Sequence, residues 1–166
     1  MGALANILGI QAAKGARNWQ LVEFDWFYNQ LMTLLYQPAE RSVVICDFHG
    51  LNVPEMVKKR EVVVLARNKN PRLVTIVPLS TTAPQKVEPF HFQLSQNPRP
   101  NSLPTTVWAK ADMVYTLSID RMELHEARSR RSIKKLKTQV SASDFEGICK
   151  AAAYALNLRH NSPVSS

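Results

Sequence analysis

Glu61-Val-Val-Val-Leu-Ala66, then Arg67-Asn-Lys-Asn-Pro71, then Leu73-Val-Thr-Ile-Val-Pro-Leu79 is the stretch whose reading decides the fold of this chain. Its two apolar runs are dominated by β-branched residues, whose stiff side chains suit a pleated strand better than a helix. The polar spacer between them ends in a proline that cannot continue a ladder, so the three pieces read as a β-hairpin. Ahead of it, Ser42-Val-Val-Ile-Cys-Asp-Phe48 reads as a third strand, joined to the hairpin by a loop from His49 to Val57. Lys58, Lys59 and Arg60 close that loop, while Ser80, Thr81 and Thr82 end the hairpin. Cations at the start of one strand, beside hydroxyls at the end of its neighbour, make a site for an anion.

Working outward, Lys86 to Leu94 reads as a half-buried strand in which Phe90, Phe92 and Leu94 alternate, with His91 an exposed residue of the opposite face. The prolines and asparagines between Gln96 and Pro104 make a stiff loop. Thr105 to Ala109 and Met113 to Leu117 are two short strands, or one with a bulge at Lys110-Ala-Asp112, and Ser118 caps a short helix running to about Glu123. A last helix starts at a capping box of Ser143 and Glu146 and carries the apolar stripe Phe145, Ile148, Cys149, Ala152 and Leu156. On the amino-terminal side, the spacing of Val22, Phe27, Leu31, Leu34 and Leu35 predicts an aromatic-rich amphipathic helix from Asn18 to Gln37, stopped by Pro38. That helix either packs on its own core or enlarges an interface.

The chain of 166 residues has a net charge of +8, all of it carboxyl-terminal to Arg41. Before that point Lys14, Arg17 and Arg41 balance Glu23, Asp25 and Glu40. A basic domain points to a polyanion such as nucleic acid, to an acidic protein partner, or to plain solubilising charge. Arg128, Arg130, Arg131, Lys134, Lys135 and Lys137 crowd together, either as a solvated face or as phosphate contacts. Cys46 and Cys149 stand in no metal-binding spacing and read as free, buried thiols of a cytoplasmic protein. The apolar opening from Met1 to Ile10 is interrupted by Lys14 well short of a membrane span, so no membrane association is expected. There is no zinc pattern, no phosphate-cradling glycine loop and no nucleophile elbow, which leaves acid and base chemistry on a bound polyanion. No metal or cofactor is implied.

The runs Cys46-Asp-Phe48, Pro54-Glu-Met-Val-Lys-Lys-Arg60, Val77-Pro-Leu-Ser-Thr-Thr82 and Trp108-Ala-Lys-Ala-Asp-Met-Val-Tyr-Thr-Leu117 together resemble the MazF/PemK-type toxins of toxin and antitoxin systems. The resemblance implies an α+β fold, mainly β: a small twisted antiparallel β-barrel of the MazF/CcdB type with a carboxyl-terminal helix. Residues 1–41 would then be an added helical extension, 42–158 the toxin domain, and 159–166 a polar tail. It also implies a homodimer that cleaves single-stranded RNA without a metal and is held inactive by a cognate antitoxin. Such cleavage uses the RNA's own 2′-hydroxyl and needs a base, a cation for the charged phosphorane and an acid for the leaving 5′ oxygen.

By the same resemblance Arg60 takes the place of the family's catalytic arginine and Thr81 that of its phosphate-binding threonine or serine. Lys110 and Asp112 match a basic residue and aspartate used by some members, with Asp112 as base and Lys110 as charge stabiliser. Lys58, Lys59, Ser80 and Thr82 would line the RNA path. Three departures stand out. Glu61 replaces a proline and is placed to pair with Arg60, Lys110 lacks the guanidinium fork, and His49 lies farther from Arg60 than the histidine of some relatives. Taken apart from the resemblance, Arg60 pairs with Glu61 or Glu55, Thr81 serves a turn, and Asp112 caps one. Two further functions remain open: a non-catalytic toxin on the same fold that binds a protein target such as gyrase, and an inactive RNA-binding relative.

Overall fold

The computed structural model describes residues 34–99, 102–128 and 133–158. In chain order they form β1 (Ser42–Cys46), β2 (Arg60–Arg67), β3 (Leu73–Ser80), β4 (His91–Gln93), β5 (Trp108–Lys110), β6 (Tyr115–Ser118), a 3-10 turn (Ile119–Arg121), β7 (Met122–Glu123), β8 (His125–Arg128), β9 (Ile133–Leu136), β10 (Thr138–Gln139) and α1 (Ala142–Ala155). The hairpin read from the sequence is β2 and β3, paired antiparallel with Val62 opposite Pro78 and Val63 opposite Val77. β1 lies on the other edge of β2, so the three predicted strands are neighbours.

Both faces of this sheet are buried, which is why β2 and β3 are nearly continuous apolar runs rather than alternating ones. One face, through Val43, Val63, Val77 and Leu79, packs on Ile148, Ala151 and Ala152 of α1. The other, through Val44, Cys46, Val62, Val64 and Ile76, packs on Leu34, Phe48, Ile119 and Met122. Proline is tolerated at position 78 because of where it sits. The outer edge of β3 is bonded to β6 from Leu73 to Ile76 and to β5 at Leu79 and Ser80, and Pro78 falls in the gap, where no N–H is required. The chain crosses that gap in the turn between β5 and β6, so this segment forms two short strands, one of the two arrangements expected, and not one strand with a bulge at Lys110-Ala-Asp112.

Four expectations are corrected. The sheet runs β10-β1-β2-β3-β5-β4, with β6 and β7 on side branches, and among the described residues no ladder joins β10 to β4, so no closed barrel forms. The outermost strands have only two and three residues, too short to bridge the opening, and Phe92 of β4 packs against Gly147 of α1 instead. Secondly, the cap of α1 is Ser141, not Ser143: its side chain accepts the Asp144 N–H at 3.0 Å, while Glu146 pairs with Lys150. Thirdly, Leu156 at the end of the predicted stripe is exposed and Cys149 only half-buried, whereas Ala151 is buried. Lastly, Leu34 to Gln37 are not helical; the Leu34 N–H donates to the Met122 carbonyl and its side chain enters the core. The rest of the expected Asn18 helix and the 159–166 tail lie outside the described residues.

The strand expected from Lys86 to Leu94 shortens to His91–Gln93, because Glu88 and His91 close a turn around Pro89. The His91 ring accepts the Glu88 N–H at 3.1 Å, a turn-capping role. No helix among the described residues is long and apolar enough to cross a membrane.

A β-carbon at position 147 would come within 2.1 Å of the Phe92 ring, so the glycine is there for close approach of α1 to β4. Gly147→Ala gains helix propensity of about 1 kcal/mol but overpacks this contact at about 1–3 kcal/mol. The expected outcome is net loss of stability, measured as a lower denaturant midpoint, and partial recovery when Phe92→Leu is added.

Candidate functional site

The polar edge of the sheet is set by the β2 and β3 register. Continued outward from Val62 and Pro78, it brings Arg60, the first residue of β2, opposite Ser80, the last of β3. Beyond Ser80 the strand cannot run on, because the Thr82 N–H turns back to the Ser80 hydroxyl at 3.1 Å. That small turn leaves Thr81 and Thr82 exposed at the strand end. On the other side, the loop before β2 is pinned along its length. Arg121 donates to the carbonyls of Asp47 and His49, the Asn52 N–H donates to the Glu55 carboxylate, and the Met56 N–H donates to the Tyr115 hydroxyl.

A cavity of about 410 Å³ opens where these pieces meet. Lys59, Arg60, Ser80, Thr81 and Thr82 line it, as the sequence predicted for an anion site, together with Ile45, Leu79 and Val107 as its apolar floor. Three charged residues that the sequence did not single out as anion contacts complete it: Glu61, Arg99 and Glu123. Ile45 pairs with Glu61 on one side and with Glu123 on the other, so the two carboxylates flank it across three strands.

Each carboxylate has its own cation. Glu123 holds Lys59 at 3.2 Å. Glu61 does not pair with Arg60, contrary to expectation: its Oε1 meets Nε2 of the buried His125 at 2.9 Å and Nε of Arg99 at 3.3 Å. Adjacent residues of a strand leave it in opposite directions, which separates the two charges. Glu55 is taken up within its loop. Arg60 therefore has no ion-pair partner among the described residues, and its guanidinium, exposed at the cavity, is free to make a bidentate bond to phosphate.

Arg99 reaches the cavity from the loop after β4, which is tied to the start of α1. The Asp144 carboxylate accepts the Ser95 N–H at 3.0 Å and the Ser95 hydroxyl at 2.8 Å, and the Asn97 side chain accepts the Arg99 N–H at 2.9 Å. His125 and Arg99 were not legible beforehand. They lie far from Glu61 in the chain, and the only sign was the carboxylate itself where the resemblance calls for proline.

Other predicted residues are placed elsewhere. Lys110 ends β5 opposite His91, Asp112 is exposed on the following turn, and His49 is exposed on its loop; none of them lines the cavity, nor does Lys58. The basic run is a β-hairpin, β8 with β9. Within it Lys135 pairs with Glu126 at 2.7 Å, Lys137 lies over the Tyr36 ring at 5.3 Å, and Lys134 is exposed. Arg128 belongs to β8, while Arg130 and Arg131 lie outside the described residues. Burial pushes the Cys46 thiol up to about 12, with the nearby Arg121 charge opposing it, and burial also raises the Cys149 thiol. Among the described residues no group of three histidine, cysteine or acidic side chains is arranged to hold a metal.

The model of the PemK-like, MazF-like toxins of type II toxin-antitoxin systems matches residues 39–155, well over half of the chain. The chain belongs to this family. The fold is similar to that of an endoribonuclease from a mycobacterial species, solved in complex with its cognate antitoxin, at 21% identity and a TM-score of 0.50, covering 74% of this chain and 97% of that one. MazF from Deinococcus radiodurans is similar at 22% identity and a TM-score of 0.50, covering 74% and 99%. No curated protein matches. Within this PemK/MazF-like toxin, the matched region contains β1 through α1 and every residue that lines the cavity.

The thiols give a direct check on the packing. Thiolate is the reactive form, and at pH 8 a thiol with a pKa near 12 is ionised to only about one part in ten thousand. In the native protein a thiol reagent should label Cys149 and leave Cys46 untouched, with Cys46 reacting only after denaturation; mass spectrometry of the labelled peptides reads the result.

Proposed function

We propose that this PemK/MazF-like toxin is a metal-independent endoribonuclease that cleaves single-stranded RNA through the RNA's own 2′-hydroxyl. The observation that carries the reading is the Arg60 guanidinium, without an ion-pair partner among the described residues, lining the same cavity as Thr81, where the other cations are already matched by carboxylates. A scissile phosphate drawn to Arg60 and Thr81 gains charge as the 2′ oxygen attacks. A guanidinium and a hydroxyl held in place beforehand then stabilise the phosphorane without solvent reorganisation. Lys59, Ser80 and Thr82 extend the phosphate path along the strand ends. Lys110, Asp112 and His49 do not line this cavity.

Cleavage should yield a 2′,3′-cyclic phosphate and a 5′-hydroxyl, in the presence of a chelator. RNA carrying deoxyribose at the scissile position should resist it. Arg60→Ala should lower the single-turnover rate by on the order of a hundredfold or more, and Thr81→Val by less. Cutting of the deoxy-substituted strand, a requirement for magnesium, or full activity of Arg60→Ala would each overturn the reading. Copurification of an inert protein with gyrase would favour the gyrase-binding alternative.

The β8 and β9 hairpin is proposed as a second phosphate contact. If so, neutralising Arg128 and Lys134 should weaken binding to every RNA sequence alike and flatten the salt dependence by about 0.7 per lost contact. An unchanged slope in a titration against salt would return these charges to solvent.

We further propose that the toxin is a homodimer restrained by a cognate antitoxin. The short open edges β4 and β10 and the exposed Leu35, Val53 and Leu103 support an assembly, and membership of a toxin-antitoxin family supports the restraint. Light scattering should give twice the chain mass at micromolar concentration; a monomer would remove the dimer.

A further inference from the structure

Glu61 is the residue at which the cavity departs from expectation, and its surroundings are built. Its side chain is 17% exposed, and one oxygen, Oε1, meets both Arg99 and His125. The other, Oε2, has no hydrogen-bond partner among the described residues and is not among the buried polar atoms left unsatisfied. It is therefore open to solvent.

Behind Glu61 the orientation is fixed. His125 is 4% exposed, with Nδ1 at 3.2 Å from the Thr138 hydroxyl, and that hydroxyl donates to the Val43 carbonyl at 3.1 Å. His125 therefore bridges the Thr138 hydroxyl and the Glu61 carboxylate through its two ring nitrogens. The ring thus holds Oε1 in place from inside the protein.

A carboxylate in a cavity meant for phosphate repels its ligand, so it costs affinity unless it contributes to chemistry or serves only to satisfy His125. An oxygen left unengaged in the cavity lining favours chemistry. We propose that Glu61 is the general base of the cleavage reaction, an inference that rests on the endoribonuclease reading. Oε2 takes the proton of the 2′-hydroxyl and the O2′–P bond forms while the P–O5′ bond breaks. The departing 5′ oxygen takes a proton from water, and Glu61 later releases its own to water. Arg99, 63% exposed and held by Glu61 through a single 3.3 Å contact, is able to transfer to the incoming phosphate, which leaves His125 as the fixed support. His125 is then a positioning residue, acting through Glu61. The charged groups facing Glu61 are Arg99 from the loop after β4, His125 from β8, and the Glu123 and Lys59 pair across Ile45, while Arg60 lines the same cavity from the opposite face of the strand.

The test is Glu61→Gln, which keeps an acceptor for His125 and removes basicity, measured by single turnover in chelator beside the wild type, Arg60→Ala and Asp112→Asn. Glu61→Gln should slow cleavage by about 10²–10⁴-fold. The loss should be the same on RNA whose 5′ bridging oxygen is replaced by sulfur, a leaving group that needs no acid. Binding of deoxy-substituted RNA should be unchanged or tighter. The wild-type rate should climb with unit slope on the acid side of its pH profile, and Glu61→Asp should retain that climb while Glu61→Gln loses it. A rate for Glu61→Gln within about threefold of wild type, too small for a general base, overturns the proposal. So does rescue by the sulfur substrate, which would make Glu61 the acid, or a loss confined to Asp112→Asn. Should Glu61→Gln not fold, the wild-type profile still decides, since a flat acid side leaves no base to find. Normal cleavage by Glu61→Gln with a slow Arg60→Ala defeats this proposal alone; a wild type inert toward RNA defeats the function with it.

Discussion

The register that sets Val62 against Pro78 is the constraint on which the rest of the structure depends. Val62, Val63 and Val64 are each fully buried, on alternating faces, so β2 has no face that tolerates solvent. A slip by one residue would exchange the two cores, one built on α1 and the other on Phe48, Ile119 and Met122, whose shapes differ. With slippage barred, the ends of the hairpin have one arrangement. The first residue of β2 and the last of β3 then meet at the sheet edge, and a cation meets a row of hydroxyls because of packing in the interior.

The central strands were readable because their evidence is local: β-branched runs, a polar spacer with proline, cations and hydroxyls at the ends. Arg60 and Thr81 could be assigned to one cavity from that alone. What escaped the sequence is held by tertiary contact. β7 and β10 have two residues each and exist because β1 offers both its faces of hydrogen bonding to them and to β2, a situation that no propensity encodes. The choice between Ser141 and Ser143 as cap of α1 turned on the Asp144 N–H, two plausible serines being two residues apart. Lys110 and Asp112 were grouped with Arg60 by motif, but the change of partner along β3 puts Lys110 at the end of β5 and Asp112 on the turn after it, outside the cavity lining.

Charge pairing shapes the cavity more than net charge does. The chain carries +8, yet the lining has three cations against two carboxylates, with Lys59 and Arg99 already engaged. An uncompensated cluster would attract any polyanion and repel itself. The pairs hold their side chains in place and leave one guanidinium without competition, so attraction is concentrated at a single point instead of spread over the surface.

The link between Asp144 and Ser95 sets an order of events during synthesis. Arg99 lies on a loop whose anchor is the first turn of α1, and β1 is completed on its free edge by β10, both later in the chain than the cavity residues. A ribosome making this protein exposes Arg60 and Thr81 well before the segment that steadies Arg99. The assembled cavity thus waits for α1 and β10, and a product that stops before them would have its phosphate-facing residues without the frame that aligns them.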